Sequence, residues 1–284
     1  MFCYKRLENI FESFVAFFSL ILVCNVTITK NIRRSAVAYK SVFRRYELKY
    51  LLFKEQKEII LNAISPYMQL DSYGHTTIRN IYFDTDSYQL IRRSIEKPAY
   101  KEKLRIRSYS KATPEAEVFV ELKKKYDHVV YKRRIALPER VAMDWVCGKI
   151  PSPIDTQISR EIDYFKSHYT GLRPSVFLSY ERDAYFERDG GDFRLTFDQN
   201  ILVRDHDLSL CSDAGGRSVM DPDLTMMELK CSGALPLWMV EVLSRERIYK
   251  TSFSKYGVAY QKYIFQNFSN NQYIKEQSHA YRIN

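Results

Sequence analysis

The sequence predicts an α+β protein in which an antiparallel sheet closes on itself and is flanked by α-helices. Short segments with charged residues at alternate positions recur along the chain, as in Lys103-Leu-Arg105-Ile-Arg107 and Glu228-Leu-Lys230. Successive side chains of a strand point to opposite faces of its sheet, so each segment sends its charges to one side. One such segment would suit an ordinary solvated face. Recurrence over the whole chain instead predicts a closed sheet with its charged face inside.

The first elements alternate between strand and helix. A strand is predicted over 43–53, where charged and apolar residues alternate. The next segment, 54–65, has apolar residues at helical spacing and is followed by a proline, which predicts a helix that ends there. A second strand over 76–84 and a second helix over 87–95 follow. This order places helices beside the sheet from the start of the domain.

The middle of the chain predicts a meander followed by two helices. Strands over 101–109 and 117–125 are joined by a short connection that contains a proline, and a third strand covers 129–137. Helices are predicted over 138–147 and 154–169, with a Pro-Ser-Pro break between them. Hairpin-like connections of this kind favour antiparallel pairing.

The last part returns to strands and ends in helices. Strands over 174–185 and 193–204 flank an Asp-Gly-Gly-Asp turn. A polar loop, a strand and two helices are predicted after them, at 205–223, 226–230, 236–245 and 252–265. We find no internal repeat and no linker long enough to divide residues 43–266 into two domains. Residues 267–284 are predicted to be a tail.

The charge balance indicates polyanionic partners. Lys and Arg total 44 against 34 Asp and Glu, which gives a formal net charge of +10 for 284 residues. An excess of this kind favours nucleic acid, an anionic membrane surface or a phosphate-rich small molecule. Nucleic acid is disfavoured, because the basic residues alternate along strands and do not interleave with exposed aromatic residues.

The cysteines and histidines form no recognisable site. The five cysteines are far apart and include no Cys-x-x-Cys pair, and the five histidines show no ligand spacing. This pattern predicts neither a disulfide framework nor a thiolate metal centre, so a reducing, cytoplasmic location is favoured.

The N-terminal extension, residues 1–42, contains an apolar run over about 14–28 that is short for a membrane span. Three interpretations compete: an uncleaved anchor, an export signal, or an extension with no fold of its own. No small-x-small cleavage site follows, which disfavours export. An anchor would place the basic residues after it, and hence the domain, on the cytoplasmic face of a membrane. Of the three interpretations, the anchor is the one that predicts membrane association through this segment.

The inward face of the predicted sheet would be strongly basic. Its cationic residues are Lys49, Lys103, Arg105, Arg107, Lys123, Lys132, Arg182, Arg194 and Lys230, and its acidic ones are Glu47, Glu121 and Glu228. Like charges at this density repel, so such an interior would be stable when filled with water or with a multivalent anion. Arginine forks and lysine ammonium groups both suit phosphate oxygens. A glutamate beside such an array could hold Mg²⁺ or Mn²⁺, and Glu228 is the first choice, with Glu47 and Glu121 in the same relation to a lysine.

A set of short motifs, in this order along the chain, resembles the vacuolar transporter chaperone (VTC) domain. The motifs are Arg45-Tyr-Glu47-Leu-Lys49-Tyr, Tyr82-Phe-Asp-Thr, Lys101-Glu-Lys103-Leu-Arg105-Ile-Arg107, Phe119-Val-Glu121-Leu-Lys123, Tyr131-Lys132-Arg-Arg, Tyr180-Glu-Arg182, Arg194-Leu-Thr-Phe-Asp, Met227-Glu228-Leu-Lys230 and Ser254-Lys255-Tyr. The resemblance covers about 43–265 and leaves out the N-terminal extension. Each motif is weak alone, and the ordered set is specific.

The resemblance implies a triphosphate tunnel metalloenzyme fold, the CYTH-like superfamily: an antiparallel β-barrel tunnel of about eight strands with flanking helices. It implies a polyphosphate polymerase that transfers the terminal phosphate of ATP to a growing polyphosphate chain. The implied catalytic cations are Arg105, Arg107, Lys123, Arg182, Arg194 and Lys230. The implied phosphate and nucleotide ligands are Lys49, Lys103, Lys132 and Lys255. Glu228 is implied as the ligand of Mn²⁺ or Mg²⁺. Glu47 and Glu121 remain further expected metal ligands because each lies in the same relation to a lysine.

One departure from the wider superfamily bears on the reaction. The two-glutamate signature Glu-x-Glu-x-Lys is reduced here to Arg45-x-Glu47-x-Lys49, which makes simple triphosphate hydrolysis less favoured. Two alternatives stay open beside the polymerase: a metal-dependent triphosphatase or polyphosphatase, and a non-catalytic polyphosphate-binding module. The sequence gives no oligomeric state.

Overall fold

The computed structural model describes residues 46–126 and 129–266. The predicted extension 1–42, the predicted tail 267–284 and Arg45 lie outside the described residues. Eleven strands of the described part join in a single antiparallel sheet, with helices packed against it. The α+β class, the antiparallel sheet and the flanking helices are thus confirmed.

The strands are β1 (Tyr46–Leu52), β2 (Met68–Leu70), β3 (Thr76–Asp84), β4 (Tyr100–Ser108), β5 (Glu117–Tyr126), β6 (Val129–Pro138), β7 (Arg173–Glu187), β8 (Arg194–Arg204), β9 (Arg217–Ser218), β10 (Thr225–Cys231) and β11 (Lys250–Thr251). The helices are α1 (Lys54–Ile64), α2 (Gln89–Ile95), α3 (Glu139–Val146), α4 (Gln157–His168), α5 (Leu237–Arg245) and α6 (Lys255–Ala259), which continues into a π-helical turn, Tyr260–Ile264. The long strands and helices lie where the sequence predicts them. Strands β2, β9 and β11 were not predicted, because two or three residues are too few to show an alternating pattern.

The sheet does not close by hydrogen bonding, and the expectation of a fully closed sheet is wrong in this respect. Its strand order is β11-β1-β10-β8-β7-β3-β4-β5-β6, with β2 beside β7 and β9 beside β8. The physical reason lies at the edge of β1, where Lys49 and Tyr50 already pair with Thr251 and Lys250 of β11. That edge is therefore partly occupied and is not paired with β6. The eight long strands curve as an open tunnel wall with one seam.

Two apolar cores hold helices against the outside of this wall. One lies under α3 and α4 and includes Trp145, Ile162 and Leu122, all fully buried. The other lies under α1 and α5 and includes Ile60 and Met239. Both use the apolar members of the alternating segments, which leaves the charged members for the inner face.

A third core lies on the inner face itself and fills one end of the tunnel. Helix α6 and its π-helical continuation bring Tyr256 and Tyr260 against Ile78 of β3 and Leu178 of β7. These strand residues have the parity of Tyr82 and Arg182, so they face inward. One end of the inner face is therefore apolar and plugged, and the rest is polar.

Among the described helices, none combines the length and the apolarity that crossing a bilayer requires.

Candidate functional site

Strands β1 and β10 place two lysines and two glutamates side by side on the inner face. Their register pairs Glu47 with Lys230 and Lys49 with Glu228. The four side chains therefore alternate in sign, both along each strand and across the pair. Lys230 Nζ lies 3.3 Å from Glu228 Oε1. This patch is the region where carboxylates could act together.

Strands β4, β5 and β6 carry the densest group of cations. Lys103 pairs with Lys123 and Arg105 pairs with Glu121 between β4 and β5. Across the next interface, β6 places Lys132 opposite Lys123 and Arg134 opposite Glu121. The charged members of three consecutive strands therefore share the inner face.

Glu121 is the anionic centre of this group. Its side chain is 1% exposed, and its oxygens accept from Arg105 Nε at 2.9 Å, Lys132 Nζ at 2.8 Å and Arg134 Nε at 2.8 Å. Arg107 Nε lies 3.8 Å away. Burial alone would raise the pKa of Glu121, but the surrounding cations hold it well below its usual range. Both oxygens are thus already engaged by cations.

Asp198 of β8 organises a second group at the plugged end. Arg182 donates to it through Nε and Nη2 at 2.6 and 2.7 Å, and Lys255 of α6 donates at 2.5 Å. Asp198 is fully buried; burial would raise its pKa, yet Lys255 and Arg182 lower it to about 2. The phenol of Tyr180 lies among the same cations, with Lys255 Nζ 4.4 Å from its ring centroid. Burial opposes its ionisation, and Arg107, Arg182 and Lys255 together lower its pKa to about 8.

A side-chain contact bridges the seam that the backbone leaves open. Lys123 Nζ of β5 lies 2.9 Å from Glu47 Oε2 of β1, although these strands are not neighbours in the sheet. The charged side chains of β1, β4, β5, β6, β7, β8 and β10 therefore converge on one enclosed space. Arg194 is at the margin, since it pairs with Lys230 across β8 and β10 but is itself exposed.

Lys103 and Lys49 are lysines whose charged forms the surrounding carboxylates only partly stabilise. Lys103 Nζ donates to Ser254 Oγ at 3.2 Å and Lys49 Nζ to the carbonyl of Phe253 at 2.8 Å. Burial and the neighbouring Lys101, Lys49, Lys123 and Arg105 lower the pKa of Lys103 to about 7. Burial, Lys255 and Lys123 lower the pKa of Lys49 to about 8 against the pull of Glu228. A bound anion would relieve this repulsion.

The three predicted metal ligands do not come together. Glu47 and Glu228 are diagonal neighbours on β1 and β10, and each influences the ionisation of the other. Glu121 lies apart on β5 among its arginines. Burial opposes the ionisation of Glu228, but Lys230, Lys49 and Lys255 hold its pKa well below the usual value. In the described part of the chain, no three His, Cys, Asp or Glu side chains form a preassembled metal cluster.

The site also contains residues to which no role was assigned from the sequence, although Tyr82, Thr196 and Asp198 lie within the motifs quoted above. Tyr82 accepts a hydrogen bond from Arg105 at 2.9 Å, and Asn80 accepts one from Arg107 at 3.1 Å. Thr196 lies opposite Glu228, and its buried hydroxyl has no hydrogen-bond partner among the described residues. Asp198 could have been found, because it continues the alternation Arg194-x-Thr196-x-Asp198. Asn80 and Tyr82 are uncharged, so the charge pattern could not find them.

A buried polar network fixes α6 against the tunnel. The carboxylate of Asp84 accepts from the backbone N–H groups of Leu90 and Ile91, where it caps α2, and from the hydroxyl of Tyr256 at 3.0 Å. Tyr256 also meets Ser175 Oγ at 2.8 Å, and its ring stacks on Tyr82. Lys255 is the next residue, so this network sets where its ammonium lies.

These features define the protein as an antiparallel α+β tunnel with a basic interior that is apolar at one end. The family model of the VTC domain matches residues 44–264, most of the chain. The protein belongs to the VTC domain family.

Solved structures give weaker similarities. A Bacillus halodurans protein proposed as an adenylate cyclase is 19% identical with a TM-score of 0.46, over 75% of this chain and 95% of that one. A Hippeastrum protein proposed as an adenylyl cyclase, with a dominant triphosphatase activity, is 15% identical with a TM-score of 0.44, over 75% and 93%. A comparison with curated proteins gives no match. At these levels no activity carries over to this chain.

Proposed function

We propose that this protein is a polyphosphate polymerase that transfers the terminal phosphate of ATP to a polyphosphate chain held in the basic tunnel. The observation that carries the proposal is the convergence of cations from six strands and helix α6 on one enclosed face, in excess of the carboxylates there. Such a face is complementary to a multivalent phosphate chain. Membership of the VTC domain family supports the same substrate class.

The proposed reaction requires positioning and charge stabilisation. A terminal oxygen of the polyphosphate chain attacks the γ-phosphorus of ATP, a new P–O bond forms, and the bond to the β,γ-bridging oxygen breaks, so that ADP leaves. The nucleophile is already ionised, so no side chain has to remove a proton. Fixed cations around the reacting oxygens stabilise the charge that develops in such a transfer.

The arginines are preoriented for this role. Glu121 and Tyr82 hold Arg105, Asn80 and Tyr180 hold Arg107, and Asp198 holds Arg182. Preorganised donors cost little rearrangement when the substrate arrives. Lys123, Lys132 and Lys230 contribute further cations, Lys49, Lys103 and Lys255 are proposed to bind the nucleotide or the product, and Arg194 would act at the margin.

A divalent cation fits beside Glu228 and Glu47. Mg²⁺ and similar hard ions are commonly held by one or two carboxylates together with substrate phosphates. The pair Glu47 and Glu228 would suffice for this, although the described chain has no cluster of three such ligands. Bound there, Mn²⁺ or Mg²⁺ would neutralise charge on the phosphate oxygens. Glu121 fits this role poorly because cations already engage both of its oxygens, and we assign it instead to holding the arginines.

The test is to incubate the purified full-length chain with ATP and Mn²⁺ and to follow ADP, orthophosphate and polymer together. The proposal predicts ADP and a polymer that stains on a gel. Orthophosphate without polymer would show a triphosphatase instead. Tight polyphosphate binding with ATP unchanged would show a binding module. Duplex DNA that competes well against short polyphosphate would contradict the exclusion of nucleic acid.

A further inference from the structure

Two buried arginines lie on the outer face of the sheet, on the side opposite the tunnel. Arg79 of β3 is 9% exposed and Arg204 of β8 is 5% exposed. Arg79 has the parity of Ile81 and Phe83, which belong to the outer core. The guanidinium of Arg204 lies 3.8 Å from the ring centroid of Phe177, a member of the same core. Neither arginine therefore belongs to the tunnel.

The carboxylates near this pair are exposed and only partly engaged with it. Arg204 Nη2 lies 3.4 Å from Asp207 Oδ2, on a side chain that is 57% exposed. Asp213 attracts both arginines at longer range, but its side chain is 86% exposed and its Oδ1 accepts from Lys111 at 2.8 Å. Burial and the neighbouring Arg204 lower the pKa of Arg79, with Asp213 opposing them. The buried positive charge is thus incompletely balanced.

Several donors of this cluster are left without acceptors. Arg204 Nε donates to the carbonyl of Asp207, and Arg204 Nη1 donates to the carbonyls of Asp213 and Gly215. Within the described part of the chain, Arg79 Nε, Ser179 Oγ and Arg204 Nη2 are buried and have no hydrogen-bond partner. Ser179 is the register partner of Arg79 on β7 and of Leu202 on β8. Buried donors without partners are rare in folded proteins, and three adjacent ones indicate that something else satisfies them.

The loop between β8 and β9 leaves space beside this cluster. A cavity of about 330 Å³ is lined by Arg204, His206, Arg217 and neighbouring residues. Gly216 has φ of 135°, and a Cβ there would lie 2.2 Å from the carbonyl oxygen of Val203, so the loop closes tightly on β8. The space opens to solvent; Arg204 is the member of the cluster that lines it, and Asp205 adds a carboxylate to the same lining.

We propose that Arg79, Ser179 and Arg204 form a second anion site, separate from the tunnel, that binds one compact oxyanion such as inorganic phosphate. The site offers N–H and O–H donors, as a tetrahedral oxyanion requires. A long polyphosphate is excluded because the three donor atoms are buried, so that only a compact ion could be enclosed among them. The proposal does not depend on the activity of the tunnel.

Equilibrium dialysis of the full-length chain with radiolabelled phosphate tests the site, with unlabelled long-chain polyphosphate present to saturate the tunnel. The wild-type protein is expected to retain one equivalent of phosphate. Arg79→Gln is expected to weaken this binding by about tenfold or more, because a charged hydrogen bond is lost. Ser179→Ala is expected to weaken it severalfold and to keep the fold, since it removes only a hydroxyl that has no partner. The matched control is Arg182→Gln, which alters the tunnel and should leave the retained equivalent unchanged.

Two results would overturn the site. One is that the wild-type chain retains no phosphate once polyphosphate is saturating, which would mean that water alone satisfies these donors. The other is that Arg79→Gln and Ser179→Ala bind phosphate as the wild type does, which would mean an adventitious ion elsewhere. If circular dichroism shows that Arg79→Gln is unfolded, Ser179→Ala decides between the outcomes.

Discussion

Glu121 and Glu228 are both buried acids among cations, but their oxygens differ in what they can still bind. Cations cover both oxygens of Glu121, whereas the close ion pair of Glu228 within the described chain is with Lys230 at 3.3 Å. A carboxylate whose oxygens are both covered by cations, like Glu121, holds a site together. A carboxylate with free coordination capacity, like Glu228, can accept a metal or respond to a ligand. Neutralising Glu121 should therefore lower stability, whereas neutralising Glu228 should lower activity.

Glu121→Gln is expected to lower the free energy of unfolding by about 3–5 kcal/mol, because it leaves several buried cations without their counterion. Urea denaturation measures the loss. The matched control is Glu161→Gln on α4, a more exposed partner of Arg133, which should cost about 1 kcal/mol or less. Equal losses in the two variants would contradict the role given to Glu121.

Glu228→Gln is expected to lower kcat with ATP and Mn²⁺ by about a hundredfold or more, as expected when a group that stabilises transferring charge is removed. Its secondary structure should match the wild type by circular dichroism. Glu241→Gln, on an exposed position of α5, is the control and should keep wild-type turnover. Near wild-type turnover in Glu228→Gln would exclude it as the metal ligand.

Lys103 should make both the stability of the protein and its affinity for phosphate chains depend on pH near neutrality. Its pKa is lowered from 10.5 to about 7, so above pH 7 the amine is largely neutral in the free protein, although it is charged in the unfolded chain. Because the unfolded state binds more protons in this range, Lys103 makes stability rise with pH there. A polyanion favours the charged form, so binding should take up a proton. The affinity for tripolyphosphate should then fall as pH rises from roughly 7 to 9.

Calorimetry in buffers of different ionisation enthalpy measures this proton uptake directly. Lys103→Met should weaken the pH dependence of binding, and the remainder belongs to Lys49 and Lys132, whose pKa values are lowered to about 8 and about 7. Lys54→Met, at an exposed position, should leave the pH dependence unchanged. Proton uptake that is the same in wild type and Lys103→Met would assign the effect to another group.

At the scale of elements, the buried hydroxyl of Tyr256 links helix α6 to Asp84. Tyr256→Phe removes the donor to Asp84 and should destabilise the protein by about 1–3 kcal/mol, since a buried acceptor loses a partner. It should also speed hydrogen exchange in α6 and raise the KM for ATP, because Lys255 is no longer fixed. Tyr164→Phe, on an exposed position of α4, is the control. Unchanged exchange in α6 would show that packing alone holds the helix.

The sequence could predict which face each long strand residue takes, because an alternation with period two is local. It could not predict the open seam, because this depends on Lys250 and Thr251 pairing with β1, and two residues carry no strand pattern. The apolar plug was also hidden, since Ile78 and Leu178 look like ordinary core residues until α6 is placed against them. Local patterns thus gave the wall of the tunnel, and long-range packing decided where it opens and ends.

At the scale of the whole molecule, the excess of positive charge is divided between two faces. Most cations of the site meet in the tunnel, where Glu121, Asp198, Glu47 and Glu228 offset part of their charge. Arg79 and Arg204 lie on the opposite face. An anion in the tunnel and one on the outer face should therefore bind independently, and ligand-dependent stabilisation should reflect both.

A crystal structure of the full-length chain with tripolyphosphate and Mn²⁺ would show whether the inner face binds phosphate, because it locates the phosphate chain. Phosphate density is expected along the inner face, in contact with Arg105, Lys49 and Lys230, with Mn²⁺ beside Glu228. Phosphate density confined to the outer surface, with only water between β1 and β5, would contradict this expectation.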